Sequence, residues 1–148
     1  MPNAPVSHPP GSGRRIHVLS DLYTFKASAK DTGGAYLLLE AVVPPGGGTP
    51  PHVHRREDEA FYVLDGELTF RVGGEAIVAR PGHFVHAPRD VPHQFTNTGK
   101  KPARALVWAT PAGIEGFFLE VGSPPGAAPL DAQRVLAAAP KYGIEILV

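Results

Sequence analysis

The sequence contains no cysteine, and it has only one methionine and one tryptophan among 148 residues. The lack of cysteine excludes disulfide bonds, thiolate metal sites and a cysteine nucleophile, so any bound metal must use nitrogen and oxygen ligands. Neither sign of charge is in excess, since 14 Lys and Arg balance 14 Asp and Glu. We therefore expect neither nucleic acid nor a membrane surface as a partner.

Long apolar runs are also missing from the sequence. No stretch is long and apolar enough to span a bilayer as a helix. The Arg14-Arg15 pair could belong to a twin-arginine export signal, but no sustained apolar run follows it. The sequence therefore predicts a cytoplasmic protein.

Glycine and proline are abundant, with 17 of each, a composition that suits short strands better than long helices. Asp65-Gly66 lies between two apolar runs and predicts a hairpin. The segment after it alternates, with Leu68, Phe70 and Val72 expected to face inward, and Gly73-Gly74 predicts the next tight turn. Many short strands at close spacing indicate a β-sandwich or a β-barrel.

The chain is long enough for one domain with a sizeable core. Residues 1–13 are rich in Pro, Gly and Ser and predict a flexible N-terminal arm. Residues 14–122 are assigned to the barrel and a short helix that follows it, and residues 123–148 to a linker, a helix over 130–139 and a docked tail. The short helix is predicted from apolar residues at helical spacing, namely Ile114, Phe117, Phe118 and Val121.

Residues 51–59, Pro-His-Val-His-Arg-Arg-Glu-Asp-Glu, are the segment with the clearest chemistry. In an extended strand, His52 and His54 point to the same side, which places two imidazoles where one metal ion could bind both. Glu59 follows His54 by five residues, an odd spacing that a straight strand would send to the opposite face. Residues 55–58 must therefore bulge or turn if Glu59 is to rejoin the histidines, and their four charges predict an exposed break between two strands.

Two spaced motifs in this sequence resemble those of the cupins. The first motif is matched at every spacing by Gly46, His52, His54, Glu59 and Gly66. The second is matched by Gly82, Pro88, His93 and Asn97, with Asp90 standing where a glycine is usual. The resemblance covers roughly residues 35–110, and the segment after it looks like the small single-domain cupins related to quercetin dioxygenase.

This resemblance implies an all-β fold, the cupin double-stranded β-helix or jelly-roll barrel, with a short helical C-terminal appendage. It also implies one divalent transition metal, such as Fe, Mn, Ni, Cu or Zn, held by His52, His54, Glu59 and His93. Such sites leave a position for water or substrate, which is typical of a catalytic metal. Glu59 is then expected to act as a ligand or as the catalytic base.

Three functions remain open on the sequence alone. The resemblance favours a quercetin dioxygenase-like oxygenase that acts on a small enolic or phenolic substrate. The alternatives are a non-catalytic cupin that binds a small ligand, and an isomerase or decarboxylase that uses the same metal site. The small-molecule partner is common to all three, and we expect a homodimer because sheets of this kind have edges to cover.

Several other residues could compete for roles in the site. Glu57 and Asp58 could replace Glu59, but we interpret them as part of a solvated turn. His83 and His86 are predicted on opposite faces of one strand, and we interpret them as hydrogen-bonded strand histidines. Asp90 can replace a glycine because Asp tolerates turn conformations. The aromatic residues are predicted to be mostly core, with a subset lining a pocket above the metal: Phe61, Tyr62, Phe70, Phe84, Phe95 and Trp108.

Overall fold

The structure is a computed structural model that describes residues 4–128 and 132–147. Its described residues form strands linked by short turns. The strands are β1 (Arg14–Val18), β2 (Asp21–Ala27), β3 (Leu37–Val43), β4 (His52–His54), β5 (Asp58–Asp65), β6 (Leu68–Val72), β7 (Glu75–Ala79), β8 (Phe84–Ala87), β9 (His93–Thr96), β10 (Ala103–Thr110) and β11 (Ile144–Ile146). The helices are α1 (Ala29–Thr32), α2 (Glu115–Val121) and α3 (Ala132–Ala138), with a 3₁₀ turn at Ala139–Tyr142.

The strands form two antiparallel sheets that face each other. One sheet has the order β1-β2-β3-β10-β5-β8, and the other has the order β11-β4-β9-β6-β7. Alternate residues of β3 and β10 are buried, as expected for strands with one face on a core and the other toward solvent. The predicted all-β double-sheet cupin fold is confirmed. The largest fully buried apolar side chains between the sheets are Phe61, Phe70, Leu37, Leu39 and Leu68.

The two predicted tight turns are present between consecutive strands. Gly66 joins β5 to β6 with a positive φ of 75°, and a Cβ there would lie 2.8 Å from the Cα of Ala103. Only glycine satisfies both conditions without strain. Gly73 joins β6 to β7 and also has a positive φ, of 59°.

The C-terminal segment packs against β1 through α2 and pairs with β4 through β11. The apolar face of α2 buries Phe117, Phe118 and Val121, as its helical spacing predicts. The helix predicted over 130–139 is α3, although residues 129–131 lie outside the described part of the chain. The tail does dock, because β11 pairs with β4 in the register Ile144↔His54. The last strand of the chain therefore lies beside the strand that carries two of the candidate ligands.

The N-terminal residues 4–13 form neither helix nor strand, and most of them are exposed. Their assignment as a separate arm, and the boundary at residue 122, stay predictions. Across residues 4–128 and 132–147, no helix is both long and apolar enough to cross a membrane.

Candidate metal centre

The four predicted ligands come from three strands and meet between the two sheets. His52 and His54 lie on β4, and His93 lies opposite His52 on the neighbouring strand β9. Glu59 lies on β5, in the other sheet, and points inward from there. All four side chains are buried, and one ligand atom from each lies within 4.8 Å of the others.

The segment between β4 and β5 explains how Glu59 reaches the histidines despite its odd spacing. β4 ends at His54 and β5 begins at Asp58, so the chain leaves one sheet and enters the other. The predicted break is confirmed, and Arg55 and Arg56 within it are exposed. Glu59 then follows the alternation of its own strand, on the same buried face as Phe61.

The prediction of a solvated turn is wrong for Glu57. Its side chain is only 3% exposed, because the bend turns it inward, where Oε1 lies 3.4 Å from Nδ1 of His54. Asp58 is partly exposed, and its carboxylate accepts hydrogen bonds from Arg89. Neither carboxylate replaces Glu59 among the grouped ligand atoms.

The outer nitrogen of each imidazole is held by an oxygen. Nδ1 of His52 lies 2.8 Å from the carbonyl oxygen of Pro50, and Nδ1 of His93 lies 3.3 Å from that of Val91. A carbonyl can only accept a hydrogen bond, so both Nδ1 atoms carry the proton. Nε2 of His52 and of His93 is therefore left with a lone pair that faces the interior of the site.

The inner atoms of the site can each offer a lone pair to a proton or a metal ion, and they approach one another closely. Nε2 of His52 lies 3.1 Å from Nε2 of His54, while Oε2 of Glu59 lies 3.2 Å from His54 Nε2 and 2.8 Å from His93 Nε2. Lone pairs at these distances repel unless a positive charge lies between them. The donor set therefore fits a cation, and three imidazoles with one carboxylate suit a divalent transition metal.

The pKa shifts of the site residues also indicate that the site favours a bound positive charge. Burial alone would raise the pKa of Glu59, but the charge and hydrogen bonds of His54 and His93 outweigh it and hold that pKa well below its usual range. Burial would likewise lower the pKa of His54, yet Glu59 and Glu57 raise it. Burial, together with the charges of His93 and His54, lowers the pKa of His52 to about 4. The site thus holds a charged carboxylate and attracts one positive charge.

A cavity of about 70 Å³ borders the centre, and three of the four ligands, His52, His54 and Glu59, are among its lining residues. The predicted subset of aromatic residues that line it consists of Phe61 and Phe95. Sequence reasoning missed the remaining aromatic lining, which comes from Tyr23 on β2 and from Phe117 and Phe118 on α2. The helical spacing predicts that both phenylalanines are buried, but the neighbouring sequence does not show that they line this cavity.

Three aromatic residues that were predicted as mostly core face away from it, namely Tyr62, Phe84 and the half-buried Trp108. Tyr62 is 39% exposed and Phe84 is 58% exposed, and they pair across β5 and β8. Each neighbours a buried residue of its own strand, so strand alternation sends it outward. His83 and His86 are also exposed, and His83 precedes β8 instead of lying within it. Neither histidine faces the cavity.

Asp90 takes the conformation that its place in the second motif requires. Its φ is +68°, in the left-handed region that glycine usually fills. Its carboxylate accepts a hydrogen bond of 3.1 Å from Arg55, which also pairs with Glu145 on β11. The substitution therefore adds a link between the loop before β9 and the break after β4.

Comparison with known proteins agrees with the observed fold. The family model described as "Cupin domain" matches residues 39–109, a range that contains all four ligands. The chain carries a cupin domain. A cupin from Shewanella frigidimarina, described as RmlC-like, superposes with a TM-score of 0.67 at 15% identity, covering 78% of this chain and 99% of that one. A predicted oxalate decarboxylase from Thermotoga maritima gives a TM-score of 0.63 at 22% identity, covering 72% and 98%.

Among curated proteins, quercetin 2,3-dioxygenase of Bacillus subtilis (strain 168) is 28% identical to this cupin over 114 residues. The match covers 77% of this chain but only 34% of that enzyme. The chain therefore spans about a third of the length of this relative. The two structural matches, both under 25% identical, show the fold alone.

Proposed function

We propose that this cupin is a metal-dependent oxygenase, similar to quercetin dioxygenase, that acts on a small enolic or phenolic substrate. The observation that supports it best is the pairing of the ligand set with an apolar cavity. Among the described residues that line this cavity, none is Lys or Arg. Apart from the bound metal ion, a carboxylate or phosphate substrate would find no cationic partner in such a cavity, and its burial would carry a high desolvation cost. A neutral enol or phenol would not incur this desolvation cost.

The residues of the cavity suit the binding of such a hydroxyl compound. A bound divalent ion would supply Lewis acidity toward the substrate hydroxyl and the reactivity toward O₂ that an oxygenase needs. Glu59 Oε2 lies within the ligand group, where it can accept the proton of the substrate hydroxyl. Besides the ligands, the described lining offers two hydroxyl groups, those of Tyr23 and Thr49, which can orient a second substrate oxygen. The aromatic side chains exclude water and hold the apolar part of the substrate.

Oxygen consumption tests this proposal directly. Protein loaded in turn with Fe²⁺, Mn²⁺, Ni²⁺ or Cu²⁺ is offered a panel of neutral enols and phenols, with oxalate as the charged comparison. We expect O₂ uptake with at least one neutral compound, no uptake with oxalate, and loss of uptake after the metal is stripped. Saturable thermal stabilisation by these compounds without O₂ uptake in any metal form would instead establish a ligand-binding cupin. Turnover of oxalate would favour the decarboxylase alternative.

We also propose that the protein forms a homodimer through the outer face of the larger sheet. Outward-facing apolar side chains cluster there on four adjacent strands, namely Leu38, Tyr62, Phe84, Leu106 and Trp108. Exposed apolar clusters of this kind are typical of interfaces. Light scattering should give twice the chain mass, and Phe84→Lys should shift the measured mass to that of the monomer.

A cytoplasmic location also stays a prediction.

A further inference from the structure

The three imidazoles of the centre differ in what holds them from behind. His52 and His93 are each held by a neutral backbone carbonyl, at 2.8 and 3.3 Å from Nδ1. His54 is held by a carboxylate, because Oε1 of Glu57 lies 3.4 Å from its Nδ1. The sequence motif assigns no role to Glu57, which lies in the break between β4 and β5.

The carboxylate of Glu57 is buried, and its ion pair with His54 offsets part of the cost of that burial. Glu57 is 3% exposed, whereas Arg55 and Arg56 beside it are exposed. Glu57 Oε1 and His54 Nδ1 face each other as an ion pair at 3.4 Å, longer than a usual hydrogen bond, and within the described chain neither atom has a closer hydrogen-bond partner. A buried carboxylate is costly unless a positive group or a donor faces it. A turn that needed only solvation could have left this side chain in water, as it leaves its neighbours.

We propose that Glu57 is a positioning residue for the metal, acting through His54. Its carboxylate holds the proton on Nδ1 of His54, so that Nε2 presents its lone pair to the ion. Oxygen partners of this kind fix the tautomer and the ring orientation of a ligating histidine, and they increase its basicity. A carboxylate does so more strongly than a carbonyl, because the hydrogen bond is charge-assisted. His54 therefore becomes the strongest donor of the three imidazoles.

Charge balance gives Glu57 a second effect on the centre. Three neutral imidazoles and the Glu59 carboxylate leave one positive charge on a bound divalent ion, in a cavity lined mainly by apolar side chains. Glu57 supplies the remaining negative charge directly behind a ligand. The buried centre then carries no net charge, which favours a divalent ion in these surroundings.

Metal affinity measured on single variants tests this role without any assay of turnover. The dissociation constant for Ni²⁺ alone is determined by competition with a chromophoric chelator. Glu57→Leu removes both the acceptor and the charge, and it should weaken binding about 10- to 100-fold. Glu57→Gln keeps an acceptor for Nδ1–H but loses the charge, so its affinity should lie between that of the Leu variant and that of the unchanged protein.

Asp58→Asn is the matched control, because it removes one negative charge from the adjacent residue, which faces Arg89 and not the centre. It should bind Ni²⁺ as tightly as the unchanged protein. Thermal melting of the metal-free proteins checks that each variant folds. If the Leu variant does not fold, the Ni²⁺ affinity of the nearly isosteric Gln variant decides the test.

Unchanged affinity in the folded Glu57 variants would overturn the proposal. So would an equal loss of affinity in Asp58→Asn and Glu57→Gln, since the effect would then be general charge and not contact with His54. The proposal rests on the four-residue centre and not on the oxygenase reaction. A protein that binds Ni²⁺ as expected and consumes no O₂ would leave it standing.

Discussion

Two carboxylates, Glu59 and Asp21, are almost equally buried, yet their surroundings shift their pKa values in opposite directions. Glu59 is 6% exposed and faces two imidazoles, and Asp21 is 1% exposed and faces neutral donors. Oδ1 of Asp21 accepts hydrogen bonds from the backbone N–H of Gly48, at 3.2 Å, and from the hydroxyl of Ser20, at 3.3 Å. Gly48 belongs to the loop that leads into β4, so both carboxylates support the same centre.

The comparison shows that the neighbours of a buried carboxylate decide in which direction its pKa shifts. Burial raises the pKa of Asp21 to about 6, because two neutral hydrogen bonds do not offset the lost hydration and Oδ2 has no partner in the described chain. The same penalty acts on Glu59 but is outweighed by His54 and His93. Glu59 is thus suited to bind a cation, whereas Asp21 is suited to stabilise the loop before β4 through its hydrogen bond with Gly48.

Removing the imidazoles should have the largest effect on this comparison. The double variant His52→Ala/His54→Ala leaves Glu59 with one histidine near it, an environment closer to that of Asp21. Too few donors remain for a stable transition-metal site, so metal content should fall to background in elemental analysis. His83→Ala, which changes an exposed histidine, is the control and should keep its metal. Full occupancy in the double variant would contradict the ligand assignment.

Removing the charge of Glu59 should have the next largest effect. Glu59→Gln keeps the size of the side chain and a carbonyl acceptor, but it removes the negative charge and the basic oxygen. If Glu59 accepts the substrate proton, the variant should keep most of its metal and lose on the order of a hundredfold or more in rate. If Glu59 is mainly a ligand, metal affinity should fall and excess metal should restore turnover.

These two outcomes are separated by measuring metal content and rate on the same preparation. Asp58→Asn serves again as the control, because its carboxylate faces Arg89. Normal metal content together with normal turnover in Glu59→Gln would exclude both roles for this residue.

The ligand set could be predicted from the sequence because it depends on local geometry and motif spacing. Strand alternation places His52 and His54 together, and the charged break explains how Glu59 reaches them from another strand. The position of His93 depends on the pairing of β4 with β9, which only the family resemblance indicated. Asp90 at φ +68° was likewise predictable from the second motif.

The surroundings of the ligands could not be predicted, because they come from contacts distant in sequence. Tyr23 lines the cavity from β2, and Phe118 packs against its ring at 5.0 Å, although 95 positions separate them (118 − 23). Asp21 meets Gly48 in the same way. The burial of Glu57 could not be predicted for a different reason. Four consecutive charged residues indicate exposure to solvent, and only the bend in the folded chain shows which of them turns inward.

Asp21→Asn should have the smallest effect, and it tests the other half of the comparison. The folded protein raises the pKa of this carboxyl from its ordinary value of 3.8 to about 6, so it binds the proton more tightly than the unfolded chain does. The contribution of Asp21 to the free energy of unfolding should therefore be greatest below about pH 4 and should be lost as the pH rises to 6. Asparagine does not ionise, and it keeps an acceptor for Gly48.

Denaturant unfolding at pH 4 and pH 7.5 measures this difference. At pH 7.5 the Asn variant should be more stable by at most about 3 kcal/mol, since a tenfold change in proton binding corresponds to about 1.4 kcal/mol. At pH 4 the gain should be small, and metal content should be unchanged at neutral pH. Asp65→Asn, which removes the charge of an exposed carboxylate, is the control for the loss of one acidic side chain. A variant less stable than the unchanged protein at both pH values would show that the loop before β4 requires the Asp21 carboxyl itself, and the contrast with Glu59 would then fail.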